Sequence, residues 1–141
     1  MEDPARLYVF GASGSGTSTL GQHLAERLRL VHVDCDDRYW AKTDPPFQEK
    51  RAPIDRVTSI LQALGPDGWV LSGSCDTWGQ AILDRARLIV FVTLPTPLRL
   101  ERLKAREIAR FGDRIEKGGD MHRTHADFTE TRVSEMISLC Q

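Results

Sequence analysis

The run Gly11-Ala12-Ser13-Gly14-Ser15-Gly16-Thr17-Ser18 constrains this chain more than any other stretch. Before it lies a short apolar segment, Leu7 to Phe10, that reads as a buried strand. After it come Leu20, Leu24 and Leu28, whose fourfold spacing predicts a helix. A glycine-rich turn between strand and helix curls until several backbone N–H groups point inward, and the helix start adds the positive end of its dipole. That geometry suits a phosphate. The spacing is G-x-x-x-x-G-[K]-[ST], with Thr17 where lysine is expected and Ser18 suited to hold magnesium between the β- and γ-phosphates. Candidate nucleotide contacts are therefore Gly11, Ser13, Gly14, Ser15, Gly16, Thr17, Ser18 and Thr19, with Mg2+ and ATP as the cofactors implied.

Further along, Leu30 to Val33 reads as a second strand that ends in Asp34, Asp36 and Asp37. Pro45, Pro46 and Pro53 interrupt a polar stretch, which predicts an ordered loop or flap at about 38–53. Ile54, Val57, Ile60, Leu61 and Leu64 mark one helix face, stopped by Gly65-Pro66. Trp69 to Leu71 predicts a third strand running into Ser72-Gly73-Ser74, followed by a helix over 79–86 and a fourth strand over Leu88 to Thr93. Thr96 before Pro97 predicts a hydroxyl-capped helix reaching Gly112. A charged, glycine-rich loop follows, and then a last helix over 121–138. Strands alternating with helices imply a parallel sheet whose ligands lie at the carboxyl ends of the strands. Gly11, Asp34, Ser72-Gly73-Ser74 and Thr93-Leu94-Pro95 all fall at those ends.

A length of 141 residues suits a single domain, and 19 basic against 20 acidic side chains argue against a nucleic-acid or polybasic membrane binder. No apolar run has the length of a membrane span. Cys35, Cys75 and Cys140 are too scattered for a disulfide framework, so free thiols and a cytoplasmic location are expected. His122 and His125 lack nearby partners for a metal site and are expected as exposed helix residues. The partners expected are a nucleotide and a small-molecule acceptor, with the oligomeric state open. A dinucleotide fold is the main rival: GASGSG resembles the nicotinamide turn, and Asp34 stands near the offset of a ribose-binding acid. Against it, hydroxyls crowd the helix mouth at Thr17-Ser18-Thr19. A switch GTPase is excluded, because the chain contains no asparagine for an Asn-Lys-x-Asp motif.

The stretches GASGSGTSTLG (11–21), VDCDDRYW (33–40), WVLSGS (69–74) and RLERLKAREIARFGDRI (99–115) resemble the adenylate-kinase-like group of P-loop proteins, which includes shikimate and gluconate kinases. The resemblance implies an α/β three-layer P-loop NTPase fold: a parallel sheet with helices on both faces, a substrate flap after strand two, and an arginine lid at about 106–120. It implies ATP-dependent transfer of a phosphoryl group to a small molecule. Arg102 and Arg106 match the family's phosphate-clamping arginines and Arg114 a lid arginine. The chain departs from the family in lacking the loop lysine and, apparently, the usual last strand. A degenerate P-loop domain that binds nucleotide without kinase activity is the alternative.

Asp34 and Asp36 alternate, so on an extended backbone both would face the cleft, one holding magnesium, the other orienting the acceptor hydroxyl or taking its proton. Alternatively they form an acidic turn capping a short helix. Arg51 and Lys50, with Tyr39, Trp40 and Phe47, lie in the flap as acceptor contacts or as a small satellite core; Gly73 is a further acceptor contact. Arg99, Arg102, Arg106 and Arg110 fall within about 80° of arc at roughly 100° per residue, with Arg99 and Arg110 expected in solvent. A lysine near the phosphates would contribute about 4 kcal/mol at 4 Å and an effective dielectric of 20, against about 1 kcal/mol for a threonine hydrogen bond. Arg106 and Arg114 are the expected substitutes when the lid closes.

Overall fold

The computed structural model describes residues 2–127. Its elements are β1 (Arg6–Phe10), α1 (Thr17–Leu28), β2 (Val31–Asp34), α2 (Asp36–Tyr39), α3 (Pro53–Leu64), β3 (Trp69–Ser72), α4 (Gln80–Leu83), β4 (Leu88–Phe91) and α5 (Thr96–Phe111), with a 3-10 turn over Gly112–Ile115. They form two compact units. The first holds the chain up to Gly11 and Gly16–Val92; the second holds Ala12–Ser15 and the residues from Thr93 onward.

In the first unit the strands form one parallel sheet in the order β2-β3-β1-β4. Alternation along the strands sorts side chains into two cores. Tyr8, Val33, Trp69 and Leu71 face Ile60 and Leu64 of α3 and Ile82 of α4. Leu7, Val9 and Val70 face Ala25, Leu20 and Leu24 of α1. The unit is therefore three layers deep, as expected for the fold class. The sheet order disposes of the dinucleotide alternative. That fold places strand two beside strand one, whereas here β3 lies between them.

Helix ends follow their local chemistry. Pro53 opens α3 at a position where a missing N–H costs nothing, and Gly65, at φ 69°, closes it by donating its N–H to Leu61. The expected helix over 79–86 is only the single turn α4 followed by turn residues, because Gln80–Leu83 offers a single buried side chain, Ile82. Among the described residues no strand follows β4, whose Leu88, Ile89 and Phe91 are exposed.

In the second unit α5 begins with Pro97 in its first turn and ends at Gly112, φ 49°. Thr96 does not cap the helix; its hydroxyl accepts a hydrogen bond from Arg99 Nη2 at 2.8 Å. The expected helix over 121–138 is seen over 122–127, and its remainder lies outside the described residues.

Trp69 is 1% exposed in the core beneath α3. Trp69→Ala should lower the unfolding free energy by about 3–5 kcal/mol in a denaturant titration, with the slope unchanged. A loss under about 1 kcal/mol would contradict this core assignment.

Candidate active site

Parallel register brings Asp34, the last residue of β2, level with Ser72, the last of β3. Ser72 Oγ donates to Asp34 Oδ2 at 3.1 Å, and the Ser18 hydroxyl, from the first turn of α1, donates to the same oxygen. The backbone N–H of Asp36 donates to Asp34 Oδ1 at 2.9 Å. Ser72 is fully buried, and His32 Nε2 lies 2.8 Å from its hydroxyl oxygen. Gly73 adopts φ +99°, and a Cβ there would lie 3.0 Å from Cys35 Cβ and 3.4 Å from Asp34 Oδ1. Beneath this junction Cys75 donates its N–H to the Tyr8 hydroxyl at 3.1 Å. The thiols of Cys35 and Cys75 are hydrogen-bonded to each other; that bond, with burial, pushes the Cys35 thiol above its ordinary range. Cys140 lies outside the described residues.

These groups suit magnesium. Ser18 and Asp34 present hard oxygen donors, and Mg2+ takes one or two carboxylates together with water and substrate phosphates rather than an all-protein cage. Among the described residues no trio of His, Cys, Asp or Glu forms such a cage.

The glycine loop runs through both units. In the first, Gly16 takes a left-handed conformation at φ 92°, and α1 starts at Thr17. The N–H groups of a first helical turn have no intrahelical partner and remain available to an anion. Thr17 is half-buried, and Ser18 and Thr19 are exposed. In the second, Ser15 donates its N–H to Ala12 at 3.1 Å, and its buried Oγ has no partner among the described residues. Gly14 has φ +81°, and a Cβ would lie 2.7 Å from the Arg99 carbonyl oxygen and 3.1 Å from Leu103 Cγ. Glycine is required there by contact as well as by conformation. The helix mouth and the unpartnered Ser15 hydroxyl each fit a phosphate.

Other expected residues are placed differently. Asp36 is exposed at the start of α2, because the chain leaves β2 at Asp34 and the strand alternation stops. The two acids therefore do not share a strand face; they form an acidic turn in which Asp34 accepts the Asp36 N–H. Arg99, expected in solvent, is 7% exposed: its Nε and Nη2 donate to Leu94 O and Thr96 Oγ1, and its Nη1 is buried without a partner among the described residues. The chain turns back at 94–96, which supplies these acceptors to the first turn of the helix. Arg102, Arg106 and Arg110 are exposed on α5. Arg114 holds Asp120 through two parallel bonds of 2.9 Å, which depress the Asp120 carboxyl below its usual range. His122 Nδ1 meets Ile115 O at 3.0 Å, while His125 is half-buried 3.9 Å from buried Glu107.

In the flap, Trp40 and Lys50 form an antiparallel bridge, and Arg51 donates its backbone N–H to Tyr39 at 3.0 Å. Tyr39, Trp40, Phe47 and Trp78 pack in sequence as a satellite core. That core holds a residue the sequence reading passed over. Arg56 is 6% exposed, its guanidinium lies 3.9 Å from the Tyr39 ring centre and 5.3 Å from that of Trp78, and its Nε has no partner among the described residues. The signal was present, since Arg56, Ile60 and Leu64 repeat at fourfold spacing on the buried face of α3.

Among the described residues no helix is long and apolar enough to cross a membrane. A family model described as an AAA domain, AAA_18, matches residues 8–122. Uncharacterized protein YqaC of Bacillus subtilis (strain 168) is 37% identical over 125 residues, 88% of this chain and 68% of that protein. The shikimate kinase of Halorhodospira halophila is 27% identical over 117 residues, 72% of this chain but only 63% of that enzyme. Among solved structures, shikimate kinase from Acinetobacter baumannii in complex with shikimate superposes with a TM-score of 0.52 at 20% identity, covering 94% of this chain and 79% of that one. A gluconokinase from Sinorhizobium meliloti 1021 gives 0.51 at 21% identity, covering 75% and 67%. At these identities the structural likeness is one of fold. The glycine loop and the parallel sheet share the fold of those kinases, and with a family match across residues 8–122 the chain belongs to the AAA_18 family.

Proposed function

We propose that this protein moves the γ-phosphate of ATP to a small acceptor that carries an anionic group. The observation that carries the reading is the junction of Ser18 and Asp34 at the start of α1, directly after the glycine loop. When bound, magnesium with ATP supplies charge neutralisation at the β- and γ-oxygens, and Ser18 and Asp34 are the residues that would hold it. The backbone of Gly11 to Thr19 binds the phosphates. Arg102, Arg106 and Arg114 offset their charge, and withdrawing Arg114 from its exposed pair with Asp120 costs little. Asp36, Arg51 and Gly73 border the acceptor.

The anionic group follows from Arg56. A guanidinium buried among aromatic rings is costly unless an anion meets it, and no carboxylate pairs with it among the described residues. Sugar acids and nucleoside monophosphates satisfy that demand; a simple alcohol does not. Gluconate and shikimate belong in the acceptor panel, because relatives named for them share the fold. The second reading, a binding module without turnover, draws on Thr17, which removes a fixed charge from the loop.

Acceptor-stimulated ADP release, measured with and without magnesium, separates the two readings; tight ATP binding with no turnover against any acceptor would favour the module. Gly16→Val should abolish magnesium-dependent ATP binding, because a β-branched residue cannot hold φ 92° at the helix mouth. Equal affinity in that variant, or tighter binding of NADH than of ATP by the wild type, would remove the loop assignment.

Arg56→Met preserves bulk and removes charge. It should raise KM for an anionic acceptor about 10- to 100-fold and leave KM for ATP unchanged, as expected for one charge-assisted hydrogen bond. An unchanged acceptor KM would leave Arg56 as packing.

The substitution at position 17 gives a further test. If Arg106 does the work of the absent lysine, Thr17→Lys should partly restore ATP affinity to Arg106→Ala, with a coupling energy above about 0.5 kcal/mol in a double-mutant cycle. Strict additivity would show that the two positions do not serve the same phosphates.

A further inference from the structure

β2 places His32 and Asp34 two residues apart, so both side chains leave the same face of the strand. The Ser72 hydroxyl lies between them, 2.8 Å from His32 Nε2 and 3.1 Å from Asp34 Oδ2. A hydroxyl has one proton and two lone pairs, and a carboxylate oxygen only accepts. With the Ser72 proton directed to Asp34, the bond between Ser72 and His32 exists only if Nε2 carries a proton and donates it. The geometry points to His32 as a positioning residue: Nε2–H commits the Ser72 hydroxyl to Asp34 Oδ2, and thereby fixes the carboxylate that would hold magnesium. This rests on the reading of Asp34 given above.

An independent feature supports it. Gly21 lies in the interior of α1, where glycine is among the least favourable residues. A Cβ at Gly21 would lie 2.8 Å from His32 Nε2, 3.3 Å from His32 Cδ2 and 2.9 Å from Ser72 Cβ. The missing side chain is what admits the imidazole edge to the serine. Were His32 only filling space, alanine at 21 beside a smaller residue at 32 would close the same gap without weakening the helix. Asp34 Oδ1 is already held by the Asp36 N–H, and Oδ2 takes the two hydroxyls of Ser18 and Ser72. Removing the donor behind Ser72 frees its hydroxyl to rotate away and leaves Oδ2 with Ser18 alone. Partners behind a metal-holding side chain commonly change metal affinity by about 10- to 100-fold when lost.

The test titrates magnesium into the full-length protein with ATP and follows binding by calorimetry, with ligand-free thermal unfolding in parallel. His32→Phe should raise the magnesium concentration for half-maximal ATP binding by about tenfold. Nucleotide binding without magnesium should be unaffected. His32→Gln, whose amide nitrogen falls near the Nε2 position and can donate, should recover most of the loss. Gly21→Ala should reproduce the defect by displacing the ring. Histidine 15N spectra of the wild type should show the Nε2-protonated tautomer at His32. If His32→Phe does not fold, the Gly21→Ala titration and the tautomer decide. A magnesium dependence unmoved in His32→Phe, or in Gly21→Ala, or an Nδ1-protonated neutral ring would overturn the inference while leaving Asp34 as a magnesium residue. ATP binding by the wild type that ignores magnesium would overturn the reading of Asp34, and this inference with it.

Discussion

β1 hydrogen-bonds along both edges, to β3 on one side and β4 on the other, with its residues in parallel register with each. Because every strand of the sheet runs the same way, each connection must cross back through a helix, and the carboxyl ends of the strands all finish at one edge. Ser72 and Asp34 meet there because the Asp34–Ser72 pair closes the β2–β3 ladder. Gly73 continues the same logic, donating its N–H to Val9 O at 3.1 Å as the chain leaves β3. A shift of one residue in the β2–β3 ladder would set Leu71 rather than Ser72 level with Asp34, so register and site are one constraint.

Much of this was legible in the sequence. The glycine loop, the four strands and the helices α1, α3 and α5 were readable because each has strong local signals: apolar alternation, fourfold spacing, proline at a helix start, glycine at its end. Local signals do not report what distant chain brings to a side chain, and that is where the reading fell short. Arg99 sits on the same helical stripe as Arg106, yet it is buried because Leu94 O and Thr96 Oγ1 come round to receive it. Asp36 was expected to share a face with Asp34, but alternation holds only while the backbone stays extended, and β2 ends between them. Arg56 was passed over, and Tyr39 and Trp78, from distant parts of the chain, lie against its guanidinium. His32 had no sequence signal by itself; its meaning comes from Gly21 and Ser72, separated from it by 11 and 40 positions.

The substitution at position 17 changes the balance of charge in the loop. Backbone amides and a helix end offer partial charges that act over a short range, and Thr17 adds a neutral donor. If ATP binds here as proposed, a divalent cation would account for a larger share of the neutralisation than in a loop with a lysine. The site is built in a manner consistent with that demand. Ser18 donates a hydrogen bond to Asp34 and still keeps lone pairs for a cation, so that bond would not have to break for the hydroxyl to hold a metal. Ser72, donating to the same carboxylate oxygen, adds a second restraint from the buried side. Side chains held in this way by their neighbours lose less freedom on binding a ligand. If Asp34 holds the metal as proposed, its orientation depends on the residues behind it, among them Gly21, Ser72 and His32.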